Sequence, residues 1–278
     1  MRRRRLVSRP PARPALLALL AALVAALMLG PASGAAGAKT PRPAITVLVT
    51  NDDGVGAPGI DAIVEAVRAE KKTKVVVVAP AENQSGSGAK TTPGGAPGAP
   101  ATTASSYPAT AVRGFPADAV IYALEVQKVK PNAVISGSNL GQNLGPITEV
   151  SGTVGAAREA ARHGIPALAV SNGLGESPDF ATAARLALEW LRQHRRVLAT
   201  AKPGGPPLPQ IDSINVPNCP GGVRGLYPTV LAPEGTTEPL VSTTPNCAST
   251  TTSFTSDAQA FNNGYASITK VAVPATAS

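Results

Sequence analysis

The chain is poor in the side chains that most metal-independent and zinc-dependent hydrolases rely on. Its 278 residues include two histidines, His163 and His194, and two cysteines, Cys219 and Cys247. Neither cysteine has a histidine-rich neighbourhood, which argues against a zinc centre and against a Cys/His nucleophile. No internal repeat is present, so repeat architectures are set aside. A strong basic charge is also missing once the N-terminus is set apart. The whole chain carries +8, but residues 1–38 contain six arginines and no acid; without them 19 basic residues face 17 acidic ones. The high overall pI therefore does not speak for a nucleic-acid polymer as partner.

Residues 1–38 read as a secretory signal peptide. Arg2 to Arg5 supply the positive start, Ala15 to Leu29 the apolar run, and Ala36-Gly37-Ala38 an A-x-A cleavage site, with Ala32-Ser33-Gly34 as a second candidate. The run is short for a bilayer span, so no permanent membrane anchor is expected. The expectation is a secreted protein; the arginines leave the Sec and Tat routes undecided. An even pair of cysteines in an exported chain favours a disulfide between Cys219 and Cys247, closing a loop of roughly thirty residues.

What is present is an alternation of strand-like and helix-like segments. ITVLVT (Ile45 to Thr50) and KVVVVAP (Lys74 to Pro80) are β-branched runs suited to strands buried on both faces. Further strands are expected at Asn132 to Ser136, at PALAVS (Pro166 to Ser171), at IDSINVP (Ile211 to Pro217) and at YASITKVAV (Tyr265 to Val273). Helices are expected after Pro58-Gly59 and over Pro116 to Gln127, Thr153 to His163 and Asp179 to Arg196. Residues Thr91 to Thr110, a low-complexity Pro/Gly/Ala/Thr stretch, read as an irregular loop. This rhythm predicts an α/β fold: a Rossmann-like parallel sheet over residues 39–200 with helices on both faces. KPGGPPLP (Lys202 to Pro209) reads as a linker into a smaller, β-rich C-terminal extension, residues 201–278.

The chemistry gathers where the strands end. Asp52 and Asp53 follow the first strand, Asn83 and Ser85 follow the second in AENQSGSG, and Asn139 and Asn143 sit in SGSNLGQNLG after the third. In a parallel sheet these loops open on one edge, where α/β proteins bind ligands. Adjacent carboxylates repel, and a hard divalent cation with oxygen ligands relieves them; magnesium, manganese or calcium suits such a set. Taken alone, Asp-Gly is also ordinary turn chemistry. Ser151-Gly152-Thr153 then opens a helix, either as a plain N-cap or as an anion site. A cation beside an anion hole is the equipment of a phosphate ester hydrolase.

TNDDGVGAPGI, APAENQSGSG, ISGSNLGQNLG and SGTVGAAREA, in that order, resemble the SurE family of metal-dependent nucleotidases, with INVP and GYASIT matching its C-terminal region more loosely. The resemblance implies a Rossmann-like core and a C-terminal hairpin used to form a homo-oligomer, a dimer or tetramer. It implies a divalent cation, magnesium or manganese, held by Asp52, Asp53, Ser85 and Asn139, with the two aspartates central to catalysis. Asn51, Asn143, Ser151, Gly152 and Thr153 fall on positions lining the phosphate pocket. The activity implied is a 5′-nucleotidase acting on nucleoside monophosphates, and the exported leader, read from residues 1–38, is unusual for a family best known as cytoplasmic. Two alternatives stand beside it: a secreted metal- and anion-binding protein with little turnover, and a broad phosphatase or short-chain polyphosphatase. Gly56 and Asn262-Asn263 depart from the family pattern, which carries an aromatic or histidine and an acidic pair there.

Overall fold

The computed structural model describes residues 42–275. The expected signal peptide, residues 1–38, lies outside the described residues. Among the described residues no helix is long and apolar enough to cross a membrane.

Ile45–Thr50 forms β1, a strand whose alternate residues serve opposite faces of a sheet. Val47 and Val49 enter one core and Leu48 the other. The chain continues through α1 (Pro58–Arg68), β2 (Thr73–Pro80), β3 (Gly98–Thr102), β4 (Pro108–Val112) and α2 (Pro116–Ile121). It then passes β5 (Ala133–Leu140), a 3-10 turn (Gly145–Glu149), α3 (Gly152–Arg162), β6 (Ala167–Asn172) and α4 (Phe180–Leu198). The last elements are β7 (Gln210–Val216), β8 (Leu226–Pro228), α5 (Asp257–Asn262) and β9 (Ala266–Ala272). The nine strands lie in the order β3-β4-β2-β1-β5-β6-β7-β9-β8, and every pairing from β4 through β7 is parallel. The fold is α/β, as expected.

Helices cover both faces because the sequence supplies an apolar stripe for each. Ile60, Ile63, Val64 and Val67 of α1 pack with Leu186, Trp190 and Leu191 of α4 over Val47, Val49 and Ile135. On the other face, Ala119 and Val120 of α2 and Val154, Ala157 and Ala161 of α3 cover Leu48, Val78 and Val134. Small residues let α3 come close to the loop after β2: a Cβ on Gly155 would stand 2.0 Å from the Gly88 carbonyl oxygen.

Two expectations need correction. Thr91 to Thr110 is not irregular throughout: β4 adds to β2 in parallel and β3 pairs antiparallel with β4 at the sheet edge. Pro100 is tolerated there because an edge strand leaves one row of N–H positions unpaired. Asp61 on α1 fixes the turn of this hairpin by accepting from the Thr103 hydroxyl and from the Ser105 N–H and hydroxyl. The helix expected over Pro116 to Gln127 is α-helical only to Ile121 and goes on as a wider π-type turn, Tyr122–Val126. The chain beyond residue 200 continues the same sheet: β7 pairs parallel with β6 and β9 pairs antiparallel with β7. The Thr- and Ser-rich tail also holds α5, whose Ser256 side chain caps it by accepting from the Gln259 N–H.

Cys219 and Cys247 are joined by a disulfide with a Cα–Cα distance of 5.7 Å across a separation of 28 residues. Closing such a loop stabilises the fold by about 3 to 4 kcal/mol in the chain-entropy account. Replacing both cysteines with serine should therefore lower the melting temperature by roughly 10 °C. Calorimetry on the oxidised protein and the double variant checks this; equal melting temperatures would show that the bridge closes a loop already ordered in the unfolded chain.

Candidate active site

After β1 the chain winds to β2 on one side, then returns to β5 on the other. The strand order therefore reverses between β1 and β5, and loops leaving the two strands splay apart above that gap. Crevices of this kind are where open α/β sheets take their ligands. The loop after β1 begins Asn51-Asp52-Asp53-Gly54. Gly54 adopts φ 104°, a conformation that favours glycine, and accepts the Asn51 side-chain amide at 2.8 Å.

Asp52 is almost wholly buried, at 2 % exposure. Its carboxylate accepts the Thr153 hydroxyl at 2.6 Å. Burial pushes its pKa up, opposed by that hydroxyl and by N–H groups that include Thr153 and Gly152 at the start of α3. The positive end of α3 thus faces Asp52. Only glycine allows this approach: a Cβ at position 152 would lie 2.8 Å from the Asp52 Cβ and 2.9 Å from its Oδ2.

Asp53 is partly open. Burial pushes its pKa up to about 6, with the Leu140 N–H opposing and Asp52 adding repulsion. Leu140, at the end of β5, donates to Asp53 Oδ2 at 2.9 Å. Oδ1 has only a long contact, 3.5 Å, from the Asn83 amide. Asn83 in turn accepts the N–H of exposed Ser85 at 2.8 Å, on the same loop. Asn139 donates through Nδ2 to the Gly141 carbonyl, while its buried Oδ1 has no partner. Asn51 Oδ1 is likewise buried and unpaired.

The structure thus joins Asp52 to Gly152 and Thr153 through close contacts, links Asn83 and Ser85 to Asp53 through the long Asn83 contact, and brings Asn139 in through β5, whose next residue holds Asp53. Two of the sequence candidates have structural partners of their own. Ser151 caps α3 by accepting the Val154 N–H at 3.1 Å. Asn143 exchanges hydrogen bonds with Asn215 and donates to the Ser171 hydroxyl at 2.8 Å. The Thr153 hydroxyl points at Asp52, so it orients a carboxylate. One residue escaped the sequence reading: Ser87 is 7 % exposed, its hydroxyl is unpaired, and it lies 2.8 Å from where a Cβ on Gly152 would be. The Ser-Gly-Ser spacing of 85–87 was its only signal.

Among the described residues no three His, Cys, Asp or Glu side chains gather into a metal site. A cation here would depend on the two carboxylates together with amide and hydroxyl oxygens. The available Asp53 Oδ1, the orphaned Asn139 Oδ1 and the accessible Ser85 fit a hard cation, which prefers oxygen and keeps several waters. Because Thr153 is the only side-chain donor to buried Asp52 among the described residues, Thr153→Val should lower stability by about 1.5–3 kcal/mol. Urea unfolding of the variant measures this, and an unchanged midpoint would mean that the hydroxyl contributes nothing to holding Asp52.

A model of the family "Survival protein SurE" matches residues 47–234. The chain is 40 % identical over 195 residues to the 5′-nucleotidase SurE of Methanocella arvoryzae, covering 66 % of this chain and 70 % of that one. It is 35 % identical over 199 residues to the 5′-nucleotidase SurE of Parvibaculum lavamentivorans, covering 69 % and 68 %. The crystal structure of the SurE protein from Aquifex aeolicus superimposes with a TM-score of 0.65 at 28 % identity, over 83 % of this chain and 94 % of that one. The matched span runs from β1 into the C-terminal region and takes in every strand that carries a candidate site residue, so the chain belongs to the SurE family.

Proposed function

We propose that this protein is an exported, divalent-metal-dependent phosphomonoesterase that releases phosphate from nucleoside monophosphates. The observation that carries the reading is the Asp52–Asp53 pair at the switch point of the sheet, with Asp52 against the N-terminus of α3 and Asp53 held by the end of β5. Two relatives of similar length bear the name 5′-nucleotidase. Export is supported by the leader-like residues 1–38 and by the disulfide, a bond that persists in oxidising compartments.

Asp52, Asp53, Ser85 and Asn139 would hold the cation, magnesium or manganese. When bound, such a cation neutralises phosphoryl oxygens and makes water a stronger nucleophile. The remaining work falls to the chain. Thr153 keeps the Asp52 carboxylate in one orientation, and the Leu140 N–H does the same for Asp53. The N-terminal end of α3 adds a fixed partial positive charge on the side where a phosphoryl group would sit. The unpaired Ser87 hydroxyl, close to Gly152, offers a further donor there.

Phosphate release from AMP should disappear on chelation and return with manganese or magnesium. Asp53→Asn removes one anionic ligand and should cost several orders of magnitude in kcat/KM. Asn139→Ala should be the milder lesion, because it removes a neutral ligand. Steady-state assays with an inorganic-phosphate readout decide it. Full activity of Asp53→Asn, or full activity after exhaustive chelation, would refute metal-dependent hydrolysis at this pair.

A further inference from the structure

The loop leaving β2 has two sides. Its backbone is anchored to the site, since the Gln84 N–H donates to the Asp52 carbonyl at 2.7 Å. Asn83 reaches toward Asp53 on one side. Glu82 and Gln84, the flanking residues, line a cavity of about 460 Å³ on the other. Thr92, Val112, Arg113 and Phe115 complete its wall. The cavity lies at the carboxyl ends of β2 and β4, the same edge of the sheet as the carboxylate pair, and Gln84 in its wall is the residue before Ser85.

Its walls are fixed before anything binds. Buried Asp118 accepts from the Thr92 N–H at 2.9 Å, the Thr92 hydroxyl at 2.7 Å and the Phe115 N–H at 2.8 Å, clamping the two sides together. The Ala81 N–H joins the Val112 carbonyl at 2.8 Å at the floor. Against this rigid frame, the Arg113 and Glu82 side chains make no hydrogen bond or ion pair with any described residue. The lining thus offers an aromatic ring, a donor-only guanidinium, an acceptor-only carboxylate and an amide that does both.

We infer that this cavity receives the nucleoside part of the substrate, with the Phe115 ring stacking on the base and Arg113 and Glu82 reading its polar edge. The inference rests on the phosphomonoesterase reading above and names the leaving group. A nucleobase has a flat π face and an edge carrying both donors and acceptors, which suits this mixed lining. The volume falls in the range of small-molecule pockets. A short polyphosphate suits it poorly, because one guanidinium balanced by one carboxylate gives no net attraction for a chain of anions. The β3–β4 hairpin acquires a purpose in the same stroke, since it carries Thr92 at its approach and delivers Arg113 and Phe115 from the end of β4.

The test compares AMP and GMP with ribose 5-phosphate, which lacks the base, for the full-length parent, Phe115→Ala and Arg113→Ala. Stacking on one aromatic ring contributes enough that the ratio of kcat/KM for AMP over ribose 5-phosphate should fall about ten-fold in Phe115→Ala. Arg113→Ala should lower the GMP ratio more than the AMP ratio, because guanine presents two acceptors to a guanidinium. Saturation-transfer NMR of adenosine with the metal-free protein gives a second readout: signal with the parent, loss with Phe115→Ala. Unchanged ratios in both variants, or adenosine signal undiminished in Phe115→Ala, would overturn the inference. A parent that hydrolyses none of the three esters but still binds adenosine through Phe115 would instead refute the phosphomonoesterase reading and leave the pocket assignment standing.

Discussion

Two adjacent carboxylates that repel each other, one buried and one half-buried at the end of β1, set the terms for the whole carboxyl edge of this sheet. Left alone in a low-dielectric crevice they would be costly, and burial does push both pKa values upward. The surrounding structure answers with donors. Thr153 and the first N–H groups of α3 serve Asp52, while Leu140 serves Asp53. These donors come from β5 and α3, so the pair also fixes how those elements meet β1.

The required closeness explains several small residues. Gly152 lets the helix end touch Asp52, and Gly155 lets the next turn of α3 lie on the loop that carries Ser85 and Ser87. The C-terminal part contributes from behind. Asn215 of β7 grips the backbone of Asn143, and Asp257 accepts the N–H groups of Gly145 and Ala232. The loop between β5 and α3 is therefore held on both flanks, which accounts for the way the chain beyond residue 200 builds into the main sheet.

Much of this was legible in the sequence because its signals are local. A β-branched run followed by Asn-Asp-Asp-Gly states both a buried strand and a tight acidic turn within ten residues. The strands and helices of the βα units carry their periodicity in the same way. What was not legible depends on contacts across long separations. The Thr153 hydroxyl finds Asp52 across 101 residues, and nothing near Thr153 distinguishes an orienting donor from a ligand-binding one. Asn143 looks like a pocket residue by composition, yet its partner Asn215 lies 72 residues away. The β3–β4 hairpin hides in low-complexity sequence because its order comes from the edge of β2 and from Asp61, not from its own propensities. Ser87 had only the spacing of two serines to mark it.

The central claim is that Asp52, Asp53, Ser85 and Asn139 form one cation site at the switch point of the sheet. Crystals of the protein soaked with manganese, measured at a wavelength where manganese scatters anomalously, test it directly. The account predicts one strong peak within coordination distance of both carboxylates, with Ser85 Oγ and Asn139 Oδ1 turned toward it and waters filling the remaining positions. A peak bound elsewhere, or none at this pair in crystals whose crevice is open to solvent, would contradict it.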